Sequence, residues 1–297
     1  MPDVLLSDCL CRDQILKVPG LECDISLLDS VGSTNDWAQQ QAKSIRDFPF
    51  ACFAEEQTRG RGRRGRSWIS PSNSNIYMSL AWKLAIPVSE LGALSIIIGM
   101  AVIRALEGVG IKQARLKWPN DVLVNDKKIA GILIETVTGK SGSLVVVIGV
   151  GLNYNWPGNA PGNSSDEATE KPDQPWTDVV SVLKTGPESS NGSRYDSGRD
   201  YLAGLLLREC MAMCEFYPHN KASLLKEYQA GYDVCLHQRV DVTLDNGRKF
   251  DGVANGVTDS GEIRILINEE EHVFNSAEIS LRRFEPNGEP EMNKSGM

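Results

Sequence analysis

The sequence predicts an α+β protein: a mixed, largely antiparallel sheet covered by helices, followed by a small β-barrel. Three observations carry this reading. Apolar runs between residues 114 and 153 are joined by turns too short for a crossover helix, so neighbouring strands pair antiparallel. Leu91, Leu94, Ile97, Ile98, Ala101, Val102, Ala105 and Leu106 form one helical stripe, which supplies a covering layer. From His237 the texture changes to short β runs broken by Asp245-Asn246-Gly247 and Asp259-Ser260-Gly261. The expected organisation is a large domain over 1–235, a barrel over 236–285 and a disordered tail over 286–297.

Residues 1–24 show no clear pattern. Trp37, Ala38, Ala42 and Ile45 recur at helical period after Ser33, and Ser33 with Asp36 three positions on predicts a capping box. Ala51 to Glu56 reads as a short buried strand. Ile76, Met78, Leu80, Trp82 and Leu84 alternate, which predicts a strand with one buried face. Pro87 and Ser89 open the long helix, and Gly108 and Gly110 stop it. Three strands follow: Ala114 through Pro119-Asn120-Asp121 to Val124, then Lys127 to Glu135, then Leu144 to Asn153. Residues 157–174 and 186–199 are rich in Gly, Ser, Asn, Pro and acid and read as flexible insertions around a Trp176–Leu183 segment. Two helices, Asp200–Phe216 and Lys221–Tyr228, precede four or five barrel strands.

A net charge of −8 argues against a chain whose main task is to bind nucleic-acid phosphate. The seven cysteines lack metal-ligand spacing and fit reduced thiols in the cytoplasm. No signal peptide and no membrane-spanning run is present. The three histidines lie beside no Ser-x-Gly elbow and no paired carboxylate, which disfavours a hydrolytic triad or a histidine zinc site.

Against this acidic background, Arg59-Gly60-Arg61-Gly62-Arg63-Arg64-Gly65-Arg66 places five arginines within eight residues, closed by Trp68. Guanidinium groups fork onto carboxylate and phosphate oxygens, and glycines let the backbone approach a ligand. Such a loop repels itself and is expected to be mobile until an anion orders it. Gly60-x-Gly62-x-x-Gly65 also spells a dinucleotide pattern, but no helix follows it. Lys117 and Lys128 stand on neighbouring strands, with Asn120 and Asp121 in the turn between. A cationic cluster of this kind suits the joining of two anions, such as a carboxylate attacking the α-phosphate of ATP. A carboxylate is already ionised at neutral pH and needs no general base.

Gly60-Arg61-Gly62-Arg63-Arg64-Gly65-Arg66-x-Trp68, Lys117-Trp118-Pro119-Asn120-Asp121 and Lys128-Ile129-Ala130-Gly131-Ile132-Leu133-Ile134-Glu135 together resemble the signature of biotin protein ligases. Ser33-Thr34-Asn35, Gln57 and Gly149-Val150-Gly151-Leu152-Asn153 match in the same order, and Ala277 to Arg282 extends the match into the barrel. The resemblance implies a core like that of class II aminoacyl-tRNA synthetases with an SH3-like barrel. It implies a two-step reaction, in which biotin and ATP give biotinyl-5′-adenylate and a lysine of a biotin carboxyl carrier protein then takes the biotinyl group. It places Ser33, Thr34, Asn35 and Gln57 at the ureido ring, with Gly60, Arg61, Gly62, Arg63, Trp68, Gly131 and Lys128 around biotin. Arg61, Arg63, Arg64, Arg66, Lys117, Asn120, Asn153 and Arg282 fall to the nucleotide. Arg63, Lys128 and Asp121 carry the catalytic expectation, Asp121 either holding Mg²⁺ or orienting Lys128. Arg59 and Ser72-Asn73-Ser74 depart from the pattern. Residues 1–24 are too few for a helix-turn-helix, so a ligase that binds no DNA is expected; a homodimer stays open. The alternatives are a lipoate or other acyl ligase on the same fold and a nucleic-acid-binding protein using the arginines.

Overall fold

The computed structural model describes residues 9–44, 47–83, 88–140, 142–156, 174–185, 198–276 and 279–283. The tail over 286–297 and nearly all of both insertions lie outside these residues.

Seven strands form the main sheet: β1 (Asp24–Leu28), β2 (Phe50–Ala54), β3 (Ile76–Lys83), β4 (Arg115–Lys117), β5 (Asp121–Val124), β6 (Lys127–Thr138) and β7 (Leu144–Leu152). Their spatial order is β1-β2-β3-β7-β6-β5-β4. β1 runs parallel to β2 and every other pair is antiparallel, as the short turns require. The stretch read as one strand through Asp121 is two, because Pro119-Asn120 turns the chain and sets Lys117 opposite Asp121. β1 escaped the sequence reading because its parallel edge position gives no clean alternation.

Helices cover both faces. The helix α3 (Leu94–Glu107) packs with α5 (Arg199–Gly231) on one face, and α2 (Thr34–Ala42) lies on the other, seated on Cys52, Ala81, Val145 and Val147. β3 is therefore buried on both sides, Tyr77, Ser79 and Ala81 included, rather than on one. The second covering layer is not visible in β3's own pattern, since small and hydroxyl residues fit beneath a close helix.

α5 is a single helix that runs through Pro218 where two were expected. Proline within a helix costs about 3 kcal/mol. Burial of Cys214 and Tyr217 before it and of Leu224, Leu225 and Tyr228 after it offsets that cost. A four-residue turn, α1 (Arg12–Ile15), is held to α5 where Cys11 N donates to Asp200 Oδ1 at 2.7 Å. A short helix, α4 (Val179–Thr185), occupies the segment between the two insertions.

The C-terminal unit is an antiparallel sheet of β8 (Arg239–Leu244), β9 (Lys249–Val257), β10 (Ile263–Ile267), β11 (Glu270–Phe274) and β12 (Ile279–Arg283), ordered β11-β10-β9-β8-β12. Val240, Val242, Ala254, Ile263, Ile265, Ile279 and Leu281 make its core. Its turn at Ser260-Gly261 presses on the main domain: Trp118 Nε1 donates to Gly261 O at 2.9 Å, and a Cβ on Gly92 would stand 2.4 Å from Ser260 O.

Candidate active site

A cavity of about 400 Å³ opens between the arginine hairpin, the start of α2 and strands β5, β6 and β7. Its floor is low because two strands present glycine there. Gly131 and Gly151 are register partners, and Trp68 lies across them so closely that a Cβ on Gly151 would meet the indole at 2.4 Å. Trp68 Nε1 is buried without a hydrogen-bond partner among the described residues. A cavity ligand or water is the usual satisfier of such an N–H.

One end of the cavity is neutral and closely bonded. Gln57 Oε1 accepts from Thr34 N at 2.9 Å and Thr34 Oγ1 at 3.1 Å, while its Nε2 donates to Ser70 Oγ at 3.1 Å. Ser79 Oγ donates to Asn35 Oδ1 at 2.6 Å, and Asn35 Nδ2 donates to Glu135 Oε2 at 2.9 Å. The expected capping box does not form. Ser33 occupies the N-cap position without a side-chain cap bond and lines the cavity, and the Asp36 carboxylate is drawn away by Arg61.

The other end is cationic. Lys128 Nζ lies 2.7 Å from Asp121 Oδ1 and 5.1 Å from the centre of the Trp68 ring, with both charged side chains about 15% exposed. Arg63 Nη1 donates to Asn120 Oδ1 at 3.3 Å, and its other nitrogen reaches the Ser276 carbonyl of the C-terminal unit. Burial, then Arg64, hold the Arg63 pKa below the usual guanidinium value; Asp121 opposes this and Arg66 adds to it. Lys117 sits behind Asp121 rather than in the wall. Burial lowers its pKa, with Asp121 opposing. Beyond Lys128, Asn153 donates to Thr177 O at 3.0 Å, and the Trp156 and Trp176 rings lie 4.8 Å apart with their planes tilted by 40°.

The arginine loop is a folded hairpin in which neighbouring arginines still repel, Arg64 and Arg66 both lowering the Arg63 pKa. Arg61 bridges to Ser67, Gly62 N donates to Arg66 O at 2.7 Å, and Arg64 and Gly65 turn the chain at positive φ. Arg61 is matched by Asp36 and Glu135, and Arg64 by Asp245. Arg59 lies over Gly32, and Asn73 adopts φ 56, a conformation asparagine tolerates where a glycine-rich turn was the pattern.

Of the residues singled out by sequence, Ser33, Thr34, Asn35, Gln57, Arg61, Gly62, Arg63, Arg66, Trp68, Asn120, Asp121, Lys128, Gly131 and Asn153 line this one cavity. Gly60, Arg64, Lys117 and Arg282 do not. Gly60 has a packing reason instead: its Cβ would meet Trp68 O at 2.3 Å. Arg64 is turned outward to Asp245, and Arg282 stands in the field of Lys117. Ser79, Glu135, Trp156 and Trp176 were missed. Only the length of the Lys128–Glu135 match hinted at Glu135, and nothing in local spacing marks the others.

A neutral socket leading into a paired lysine and arginine is the equipment of an enzyme that activates an acid and transfers it. Comparison with known proteins agrees. Residues 27–153 match the family described as "Biotin/lipoate A/B protein ligase family", and residues 236–282 match "Biotin protein ligase C terminal domain". The "Bifunctional ligase/repressor BirA" of Escherichia coli is 30% identical over 88% of this chain and 75% of its own length. The "Biotin--[acetyl-CoA-carboxylase] ligase" of Mycobacterium tuberculosis is 31% identical over 85% of this chain and 86% of its own. In structure, the biotin protein ligase of Aquifex aeolicus in complex with biotin and ATP shares the fold with a TM-score of 0.66, at 24% identity, over 88% of this chain and 99% of that one. The chain belongs to the biotin protein ligase family, and it is a ligase that activates biotin with ATP and transfers it to protein. The Mycobacterium tuberculosis relative is named a biotin ligase and the C-terminal match is to a biotin protein ligase domain, which tells against the lipoate alternative. Among the described residues, no helix is long and apolar enough to cross a membrane.

Proposed function

We propose that biotin lies with its ureido ring among Ser33, Thr34, Asn35 and Gln57 and its carboxylate beside Lys128. ATP then lies over Arg63 and Arg66, with its base towards Trp156, Trp176 and Asn153. The ring urea offers one carbonyl and two N–H groups, which suit short hydroxyl and amide side chains. Trp156 and Trp176 offer the aromatic surface that a base stacks on. The observation that carries the reading is the Lys128–Asp121 pair at 2.7 Å, seated where a neutral socket ends and the arginines begin.

In the first step a biotin carboxylate oxygen attacks the α-phosphorus. A new P–O bond forms as the bond to the bridging oxygen of the β-phosphate breaks, and pyrophosphate leaves with that electron pair. Lys128 stands between the two reacting anions and offsets their repulsion, while Arg63 takes up charge on the phosphates. In the second step a neutral lysine amine of a biotin-accepting carrier domain attacks the acyl carbon. AMP leaves as the amide forms, and the amine sheds its proton to solvent. Among the described residues no group of three acidic, histidine or cysteine side chains could cage a metal, and Asp121 is already matched to Lys128. The residues therefore fit Mg²⁺ as an ion carried on the nucleotide phosphates, not as one caged by protein alone. Cys52, Cys210 and Cys214 are buried as thiols, which supports a reducing compartment such as the cytoplasm.

The test is exchange of labelled pyrophosphate into ATP. Biotin should stimulate it, lipoate should not, and Arg63→Ala should lower it without lowering the melting temperature. Stimulation by lipoate alone would reject the assignment of the neutral socket.

A further inference from the structure

We propose that Glu135 is a positioning residue that couples the neutral socket to the arginine hairpin; this rests on the ligase reading above. A single oxygen, Glu135 Oε2, accepts from Asn35 Nδ2 at 2.9 Å, Gln39 Nε2 at 3.1 Å and Arg61 Nη2 at 2.8 Å. Arg61 Nη2 also donates to Asp36 Oδ1 at 2.6 Å. The residue that sequence assigned to ligand is thus held between two carboxylates, one on α2 and one on β6.

The connection reaches the socket from both sides of the Asn35 amide. Its oxygen accepts from Ser79, its nitrogen donates to Glu135, and a Cβ on Gly149 would stand 2.4 Å from that oxygen. The amide has little room to swing, so a ring that draws on Asn35 alters the same carboxylate that grips Arg61. Arg61 is 39% exposed and Glu135 25%, so the grip is accessible enough to break and re-form. Neutralising Glu135 leaves Asp36 as the hairpin's anchor on this side. Occupancy of the socket fixes Asn35, and through Glu135 it holds the hairpin over the anionic substrates.

Trypsin cuts after arginine, so its rate of cleavage between Arg59 and Arg66, read by mass spectrometry on the full chain, reports hairpin opening. Biotin should slow cleavage of the wild type. Glu135→Gln should be cut about tenfold faster without ligand, the size of one charge-assisted hydrogen bond, and biotin should protect it less. Glu135→Asp should restore part of the protection, which loss of packing alone would not predict. Asp36→Asn, on the helix surface, should give a smaller rise. In an Arg61→Ala background, Glu135→Gln should add nothing. Cleavage of Glu135→Gln at the wild-type rate with full biotin protection, or additivity with Arg61→Ala, would overturn the proposal. Should Glu135→Gln not fold, Glu135→Asp carries the test: cleavage at the wild-type rate with full biotin protection would overturn it instead. Failure of the ligase reading would look different: the wild type itself would lack biotin-dependent pyrophosphate exchange.

Discussion

The two ends of the cavity solve opposite problems with opposite means. At the neutral end, Thr34, Asn35, Gln57 and Ser79 bond to one another, so their dipoles stand in place before any ligand arrives. At the cationic end, charge is stored as ion pairs, Lys128 with Asp121 and Arg61 with Asp36 and Glu135. A preformed dipole array selects a ring by geometry. A stored cation waits for an anion that outbids its present partner. The first end should therefore govern binding of biotin, and the second the rate of adenylation.

The largest expected effect breaks the second end. Lys128→Ala removes the cation proposed to stand between the reacting anions and leaves Asp121 without its partner. Adenylate yield in single turnover should fall about 10²- to 10³-fold, the scale of one lost stabilising group. An equal loss in Glu135→Gln, or none in Lys128→Ala, would erase the division of labour.

Next comes the floor that both ends share. Gly151→Ala would drive a methyl group into the Trp68 indole. Overpacking of this kind costs about 1–3 kcal/mol, and the hairpin should give way before the sheet does. Biotin affinity by calorimetry should fall at least about tenfold, with a melting temperature lowered by only a few degrees. A collapse of the melting temperature instead would place Trp68 in the core rather than over the pocket.

Ser79→Ala sharpens the comparison from the neutral side. It removes the hydroxyl that orients Asn35, worth about 1 kcal/mol. The KM for biotin should rise about fivefold while kcat hardly moves. A drop in kcat with unchanged KM would assign Ser79 to the chemistry.

The smallest effect concerns pH. Burial lowers the Lys117 pKa below the usual lysine value of 10.5, so the unfolded chain holds that proton more tightly than the folded one. Between the lowered value and 10.5, stability rises with pH on account of this group. Lys117→Met should be the more stable protein near pH 7, and its advantage should shrink towards pH 10.5 in urea titrations. An advantage that grows with pH would contradict the sign.

Much of the cavity is legible in the sequence because its residues come in short ordered runs. Lys117 to Asp121 and Lys128 to Gly131 face each other through a tight turn, so their proximity follows from the hairpin itself. Arg61 to Trp68 close on themselves within eight residues. Ser79 and Glu135 were not legible: each sits at an unremarkable place in a strand and gains its role from Asn35, 44 and 100 residues away. Trp156 and Trp176 flank an insertion, and no local pattern brings them together.

The sequence by itself determined the alternation of strands, the turns, the apolar stripe of α3 and the crowding of arginine beside glycine. These follow from steric and burial preferences that act over a few residues. Only the tertiary structure decided that α2 covers the second face of the sheet, that α5 runs unbroken through Pro218, and that Arg61 and Arg64 find carboxylates. Such outcomes depend on which distant surface arrives to bury a side chain or pair a charge. A periodicity records that a face is buried, not what buries it.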